Sequence, residues 1–204
     1  DADPAKELLH PAELCNLPVP AGLIWGMNDR FLPRGSLEFF RENLPEAPAN
    51  DAEWSAEDAR HSIIRWVPTP TEAQSTIRDP RSGEILSASV DVYPNVATFG
   101  PTYYFVQAAP LDKRAAKLPL PDDVSGELIR FQVAHGVGHA LGFPHNLKAS
   151  SEYTVAQVRD PKWVKDMSFV PSIMDDARFN YVAQPEDNMD AADLIPKVGP
   201  YDKF

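Results

Sequence analysis

One cysteine, Cys15, is all the thiol chemistry that the 204 residues contain. A lone thiol excludes a disulfide within the chain and any Cys-x-x-Cys redox or metal pair, so Cys15 is expected to be a small buried or half-buried residue. Basic residues are also short: 19 Lys and Arg stand against 30 Asp and Glu, a formal charge of −11. That balance repels phosphate backbones and anionic lipid, and no basic patch is visible, so nucleic acid is not an expected partner. Keeping the protein soluble accounts for the acidity better than a preference for basic substrates does. No apolar run approaches the ~20 residues of a membrane-spanning helix. The opening DADPAKELLH has neither the basic nor the apolar region of a signal peptide. Removal of a leader leaves the same kind of start, so this feature does not point to the cytoplasm. Glycine is scarce beside proline, 10 against 21, which favours rigid connectors such as LPEAPAND and AAKLPLPDD. No internal repeat or low-complexity tract is present.

What remains is the composition of a soluble globular protein, 43% hydrophobic and 24% charged, at a length that suits one domain or one domain with two lobes. RGSLEFFREN can form a helix with Leu37, Phe40 and Leu44 on one face. HSIIRWVP predicts a strand over about 61–67, with Trp66 in the core and Pro68 as its stop. DPRSGEILSASVDVY predicts a turn and then a strand, in which Leu86, Ala88, Val90 and Val92 alternate with Ser87, Ser89 and Asp91. Such a strand either takes an ordinary place in a sheet or lends its edge to an extended peptide.

PDDVSGELIRFQVAHGVGHALG predicts a helix over about 122–141, with Asp122 or Asp123 as its cap, Gly142 as its stop and Pro144 barring continuation. Ile129, Val133, Val137 and Leu141 share one face, while Phe131, His135 and His139 share another, so the helix should be central and buried. Imidazoles four residues apart on a helix can grip one ion from the same side. Gly142 can turn the chain so that His145 approaches as a third nitrogen ligand. Three of the five histidines fall within this eleven-residue window, which argues against coincidence. Three neutral imidazoles leave the fourth position of a tetrahedral zinc open, the arrangement of a catalytic site.

HGVGHALGFPH resembles the metzincin signature, in which two histidines and a glutamate on a helix are followed by a glycine and a third histidine. PSIMDDARFNYVAQPED supplies the second half, with Met174 in the place of the Met-turn methionine beneath the metal. More narrowly, DARHSIIRWVPTP, DPRSGEIL, VAHGVGHALGFPHNLKAS and SIMDDARFNYVAQPED resemble, in that order, a family of large exported bacterial zinc-dependent metallopeptidases. The resemblance covers roughly residues 55–204. It implies an α+β zincin fold: a twisted mixed sheet, a central active-site helix under the cleft and an irregular C-terminal lobe with the Met-turn. It further implies one catalytic domain over 1–204, with lobes of about 1–145 and 146–204, excised from a longer chain. Zinc is the implied cofactor, a peptide or protein the implied substrate, and the periplasm or cell exterior the implied location, without membrane insertion. Met174 would pack an apolar base under the histidines and hold them in place.

Two positions depart from that pattern. The family's glutamate takes a proton from the attacking water and returns one to the leaving amine, and here its position is Gly136. Loss of a positioned acid/base costs about 10²- to 10⁴-fold in rate. Gly136 has no evident structural merit, because a helical glycine costs about 0.8–1.0 kcal/mol relative to alanine; natural loss of catalysis or deliberate inactivation explains it better. In several metzincins a tyrosine near the zinc stands two residues after the Met-turn methionine, and here that position is Asp176. Asp176 could occupy the open coordination position, act as a surrogate base, or point to solvent beside Asp175. The expectation is therefore peptide-bond hydrolysis by zinc-activated water, impaired or lost through Gly136. The alternatives are a non-catalytic zinc-binding module that holds peptides or a protein partner, and a protein whose histidines bind no metal.

Overall fold

The computed structural model describes residues 21–24, 50–67, 74–93 and 96–203; Cys15 and the helix expected in RGSLEFFREN lie outside them. Four strands, β1 (Ala21–Ile24), β2 (Ser62–Trp66), β3 (Gln74–Arg78) and β4 (Ile85–Val92), make one sheet in the order β1-β2-β4-β3. β1 and β4 run parallel to β2, and β3 runs antiparallel to β4, so the sheet is mixed as expected.

The pairing of β2 with β4 explains the two faces. Ile64 stands opposite Val90 and Trp66 opposite Val92, and with Ala88 these buried side chains form the apolar face. On the other face Arg65 stands opposite Asp91 and donates from Nε to its carboxylate at 2.8 Å. The expected alternation fails at its start: Leu86 is 41% exposed and Ser87 is buried. The register slips between Ile77, which faces Ser87, and Arg78, which faces Ile85, so Leu86 is passed over and turns outward. The Ser87 hydroxyl donates to the His61 carbonyl at 2.6 Å, which makes its burial tolerable. β4 lies between β2 and β3, so it has no free edge to offer a peptide; among the described strands, β1 and β3 are the edges.

Two long helices follow, α1 (Val96–Ala108) and α2 (Asp122–Ala140). The cap of α2 is Pro121, not Asp122 or Asp123. The Pro121 carbonyl accepts the first helical hydrogen bond from Ser125 N–H at 3.0 Å, which places both aspartates inside the first turn. There they favour the positive end of the helix dipole. α2 packs against α1 on one side and against β4 and β3 on another. Ile129, Val133 and Val137 are buried as expected, but Leu141 is 41% exposed because the helix has already ended.

An extended apolar core lies on the α1 side of α2. Val124 and Leu128 meet Tyr104 and Ala108 of α1 and Val164, Phe169, Phe179, Leu194 and Ile195 of the C-terminal lobe. That lobe is irregular: two short helices, α3 (Val155–Val158) and α4 (Pro161–Met167), follow one another, with short 3₁₀ segments before and after them. No helix among the described residues is long and apolar enough to cross a membrane.

Tyr104 is fully buried, and its hydroxyl donates to Asp112 at 2.8 Å. Burial and this hydrogen bond push the phenol well above its ordinary pKa. Burial alone would also raise Asp112, but the Arg114 guanidinium and the Tyr104 hydroxyl outweigh it and hold the carboxyl below 3.8. Arg114 reaches Asp123 and Glu127 as well, and so ties this network to the first turns of α2. A carboxyl depressed on folding stabilises the protein fully above 3.8 and loses that contribution as pH falls through its folded value. Asp112→Asn should therefore cost about 1–3 kcal/mol at pH 7. Its gap from the parent should narrow as pH falls below 3.8 in melts followed by circular dichroism; a gap independent of pH would contradict this role.

Candidate metal centre

α2 ends in a way that aims two imidazoles. Gly142 adopts a φ of 97°, its N–H donates to the His139 carbonyl at 2.9 Å, and Phe143 N–H donates to the Gly138 carbonyl at 3.0 Å. This reciprocal pair closes the helix and needs a residue that tolerates left-handed backbone. The Phe143 carbonyl then accepts from His139 Nδ1 at 2.9 Å. His135 Nδ1 donates in the same manner to the Ile173 carbonyl at 2.8 Å. Carbonyl oxygens only accept, so both neutral rings carry their proton on Nδ1 and present the Nε2 lone pair.

His145 completes the group. Its Nε2 lies 3.1 Å from Nε2 of His135 and 3.1 Å from Nε2 of His139. The three histidines form a set that could hold a metal ion, with ligand atoms all within 4.8 Å of one another. One Nε2 can donate at most one proton, so in the neutral state at least one of the two close pairs has no hydrogen bond to offset the repulsion between its nitrogens. A shared cation removes that repulsion. Three imidazole nitrogens at about 2.0–2.1 Å from a tetrahedral zinc stand about 3.3 Å apart, close to the 3.1 Å of the two pairs that His145 makes. The donor set therefore fits zinc. Burial, reinforced by the two neighbouring imidazoles and opposed by the Ile173 hydrogen bond, holds the pKa of His135 below its ordinary value. That favours the neutral form a metal requires. His135 and His139 are half-buried and His145 is exposed.

Met174 is buried against Ala134 and Ile173. Gly138 faces it on α2: a Cβ at that position would collide with the Met174 sulfur. The glycine thus lets the turn pack directly on the helix. Asn146 N–H donates to the Met174 carbonyl at 2.9 Å, so the segment carrying His145 is pinned to the same turn. A cavity of about 340 Å³ opens beside His145, with Phe143, Pro144, Met174 and Tyr201 among its walls.

Gly136 is buried on α2. Helical geometry places it about 100° round the axis from His135, on the flank between the histidines and the face of Ile129 and Val133. Asp176 stands outside the group of three histidines; its side chain is 69% exposed and its nearest cation is Arg178 at 3.9 Å. Its neighbour Asp175 is the buried one and accepts from the Ser150 hydroxyl at 2.5 Å. Sequence reasoning missed Ser172 and Asp202. The Asp202 carboxylate accepts from Ser172 Oγ at 2.6 Å and from Ile173 N–H at 2.7 Å, directly behind the turn. An aspartate near the end of GPYDKF carries no local signal of that role.

A family model described as Met-zincin, DUF4953, matches residues 117–204, a stretch that contains α2, all three histidines and Met174. It covers less than half of the chain and supports a metzincin-type family. The mixed sheet with its helices is α+β, consistent with a zincin-like fold. No curated protein and no solved structure matches the chain.

Zinc added to chelator-treated protein should raise its melting temperature, and His139→Ala should abolish that shift. The shift should shrink as pH is lowered, because protons compete with the metal for the ligand nitrogens. Scanning fluorimetry with and without zinc reads both, and parent protein indifferent to zinc would sink the metal assignment. Gly138→Ala should cost about 1–3 kcal/mol through overpacking against Met174.

Proposed function

We propose that this chain is a zinc-dependent metallopeptidase domain whose turnover is impaired or lost because Gly136 stands where the acid/base would be. The observation that supports it most is the convergence of the three Nε2 atoms on one point, with a glycine as the next residue after the first histidine. His135, His139 and His145 would hold the metal. When bound there, zinc polarises a carbonyl and lowers the pKa of water.

The chain's own groups account for binding and for the missing step. β3 is an edge strand, and its Arg78 lies beside Gly142 at the end of α2. An extended peptide could add to that edge by main-chain hydrogen bonds and pass the histidines. No proton shuttle can come from Gly136. The exposure of Asp176 and its pairing with Arg178 favour the solvent-facing role over that of ligand or base. Export, and a peptide or protein as the partner, belong to the same reading and rest on the family resemblance.

A second reading is favoured by Gly136 itself: a module that keeps the metal and the cleft, and binds peptides without cutting them. The two separate on one substitution. Gly136→Glu, loaded with zinc and assayed on protein and peptide libraries, should gain about 10²- to 10⁴-fold in hydrolysis over the parent. If the substituted protein binds zinc and cleaves nothing, the peptidase reading fails. Peptide affinity without turnover in both proteins would then support the binding module.

A further inference from the structure

We infer that Asp202 is a positioning residue of the metal centre and acts on His135 through the turn that carries Met174. This rests on the three histidines holding a metal, and not on turnover. The Asp202 carboxylate takes three donors from two segments: Ser172 Oγ at 2.6 Å, Ile173 N–H at 2.7 Å and Gly199 N–H at 2.9 Å. Ser172, itself fully buried, uses its hydroxyl oxygen to accept from Met174 N–H at 3.1 Å. That N–H belongs to the same peptide unit as the Ile173 carbonyl, which accepts the Nδ1 proton of His135 at 2.8 Å. An unbroken relay therefore runs from Asp202 to Ser172, to the peptide between Ile173 and Met174, and on to His135.

Each link has a direction. A carboxylate draws the Ser172 proton and enriches its oxygen, which strengthens the bond from Met174 N–H. A peptide unit polarised at its N–H is a better acceptor at its carbonyl, and a better acceptor at Nδ1–H makes Nε2 a stronger metal ligand. Packing of Ile173 and Met174 against Ala134 can place the turn, but the rotation of that peptide plane is fixed by its hydrogen bonds. A second contact holds the same two segments together: Tyr201 N–H donates to the Pro171 carbonyl at 3.0 Å.

Zinc affinity by chelator competition and the visible spectrum of the cobalt-substituted protein test the assignment, with melting of the metal-free protein as the control. Asp202→Asn keeps the shape and removes the charge. It should weaken zinc about 10-fold, and Asp202→Ala up to about 100-fold. Both should shift the cobalt bands, while Asp202→Asn leaves the metal-free melt close to the parent's. Should Asp202→Ala not fold, Asp202→Asn and Ser172→Ala decide the matter, each weakening zinc and shifting the spectrum. Zinc affinity within about twofold of the parent and an unchanged cobalt spectrum in the folded variants would overturn the inference and leave Asp202 as a pin for the C-terminal segment. A parent that takes up no zinc overturns it too. A Gly136→Glu protein that binds zinc without hydrolysis defeats only the peptidase reading.

Discussion

The hydrogen bond from His135 Nδ1 to the Ile173 carbonyl joins segments 38 residues apart, and the geometry of the centre depends on it. A helix alone would leave the ring free to rotate about its side-chain torsions and to carry its proton on either nitrogen. The carbonyl fixes both at once. The ring edge that remains faces His145, and the helix face that remains packs on the Met174 turn. The C-terminal lobe, which has little regular structure of its own, matters to the site through this contact. Its short elements fold over the core of α1 and α2, so that one loop can present one oxygen.

Much of the site was legible because its signals are local. Helix periodicity, a glycine stop and three histidines within one window are set by neighbours in sequence, and the structure places them as that spacing demands. The Met174 turn was legible only through resemblance, since a methionine in isolation reads as core. β3 escaped notice because QSTIR has no apolar alternation; it is held by pairing with β4 and not by a buried face of its own. The exposure of Leu86 depends on a register slip against that unseen strand. The purpose of Gly138 was hidden for a related reason: the cost of a helical glycine is visible in sequence, whereas the sulfur it accommodates comes from another part of the chain. The aspartates at the start of α2 misled because cap preference is a tendency, and Pro121 had already supplied the carbonyl that begins the helix.

Two carboxylates outside the histidine set show how burial assigns different work to the same group. Asp112 sits among Tyr104 and Arg114 and fixes the start of α2; Asp202 sits behind the turn at its other end. Asp176 has no such enclosure. Its pairing with Arg178, which in turn lies 4.9 Å from the centre of the Tyr103 ring, directs it toward the surface.

The closure of α2 has one more consequence. Phe143 contributes its N–H to the Gly138 carbonyl and its own carbonyl to His139, so one residue both ends the helix and orients a metal ligand. Fraying of that last turn and release of His139 are then a single event. Any ion held by the three histidines would act as a clasp on the helix terminus, and its escape rate would be bounded by local unfolding and not by ligand exchange alone.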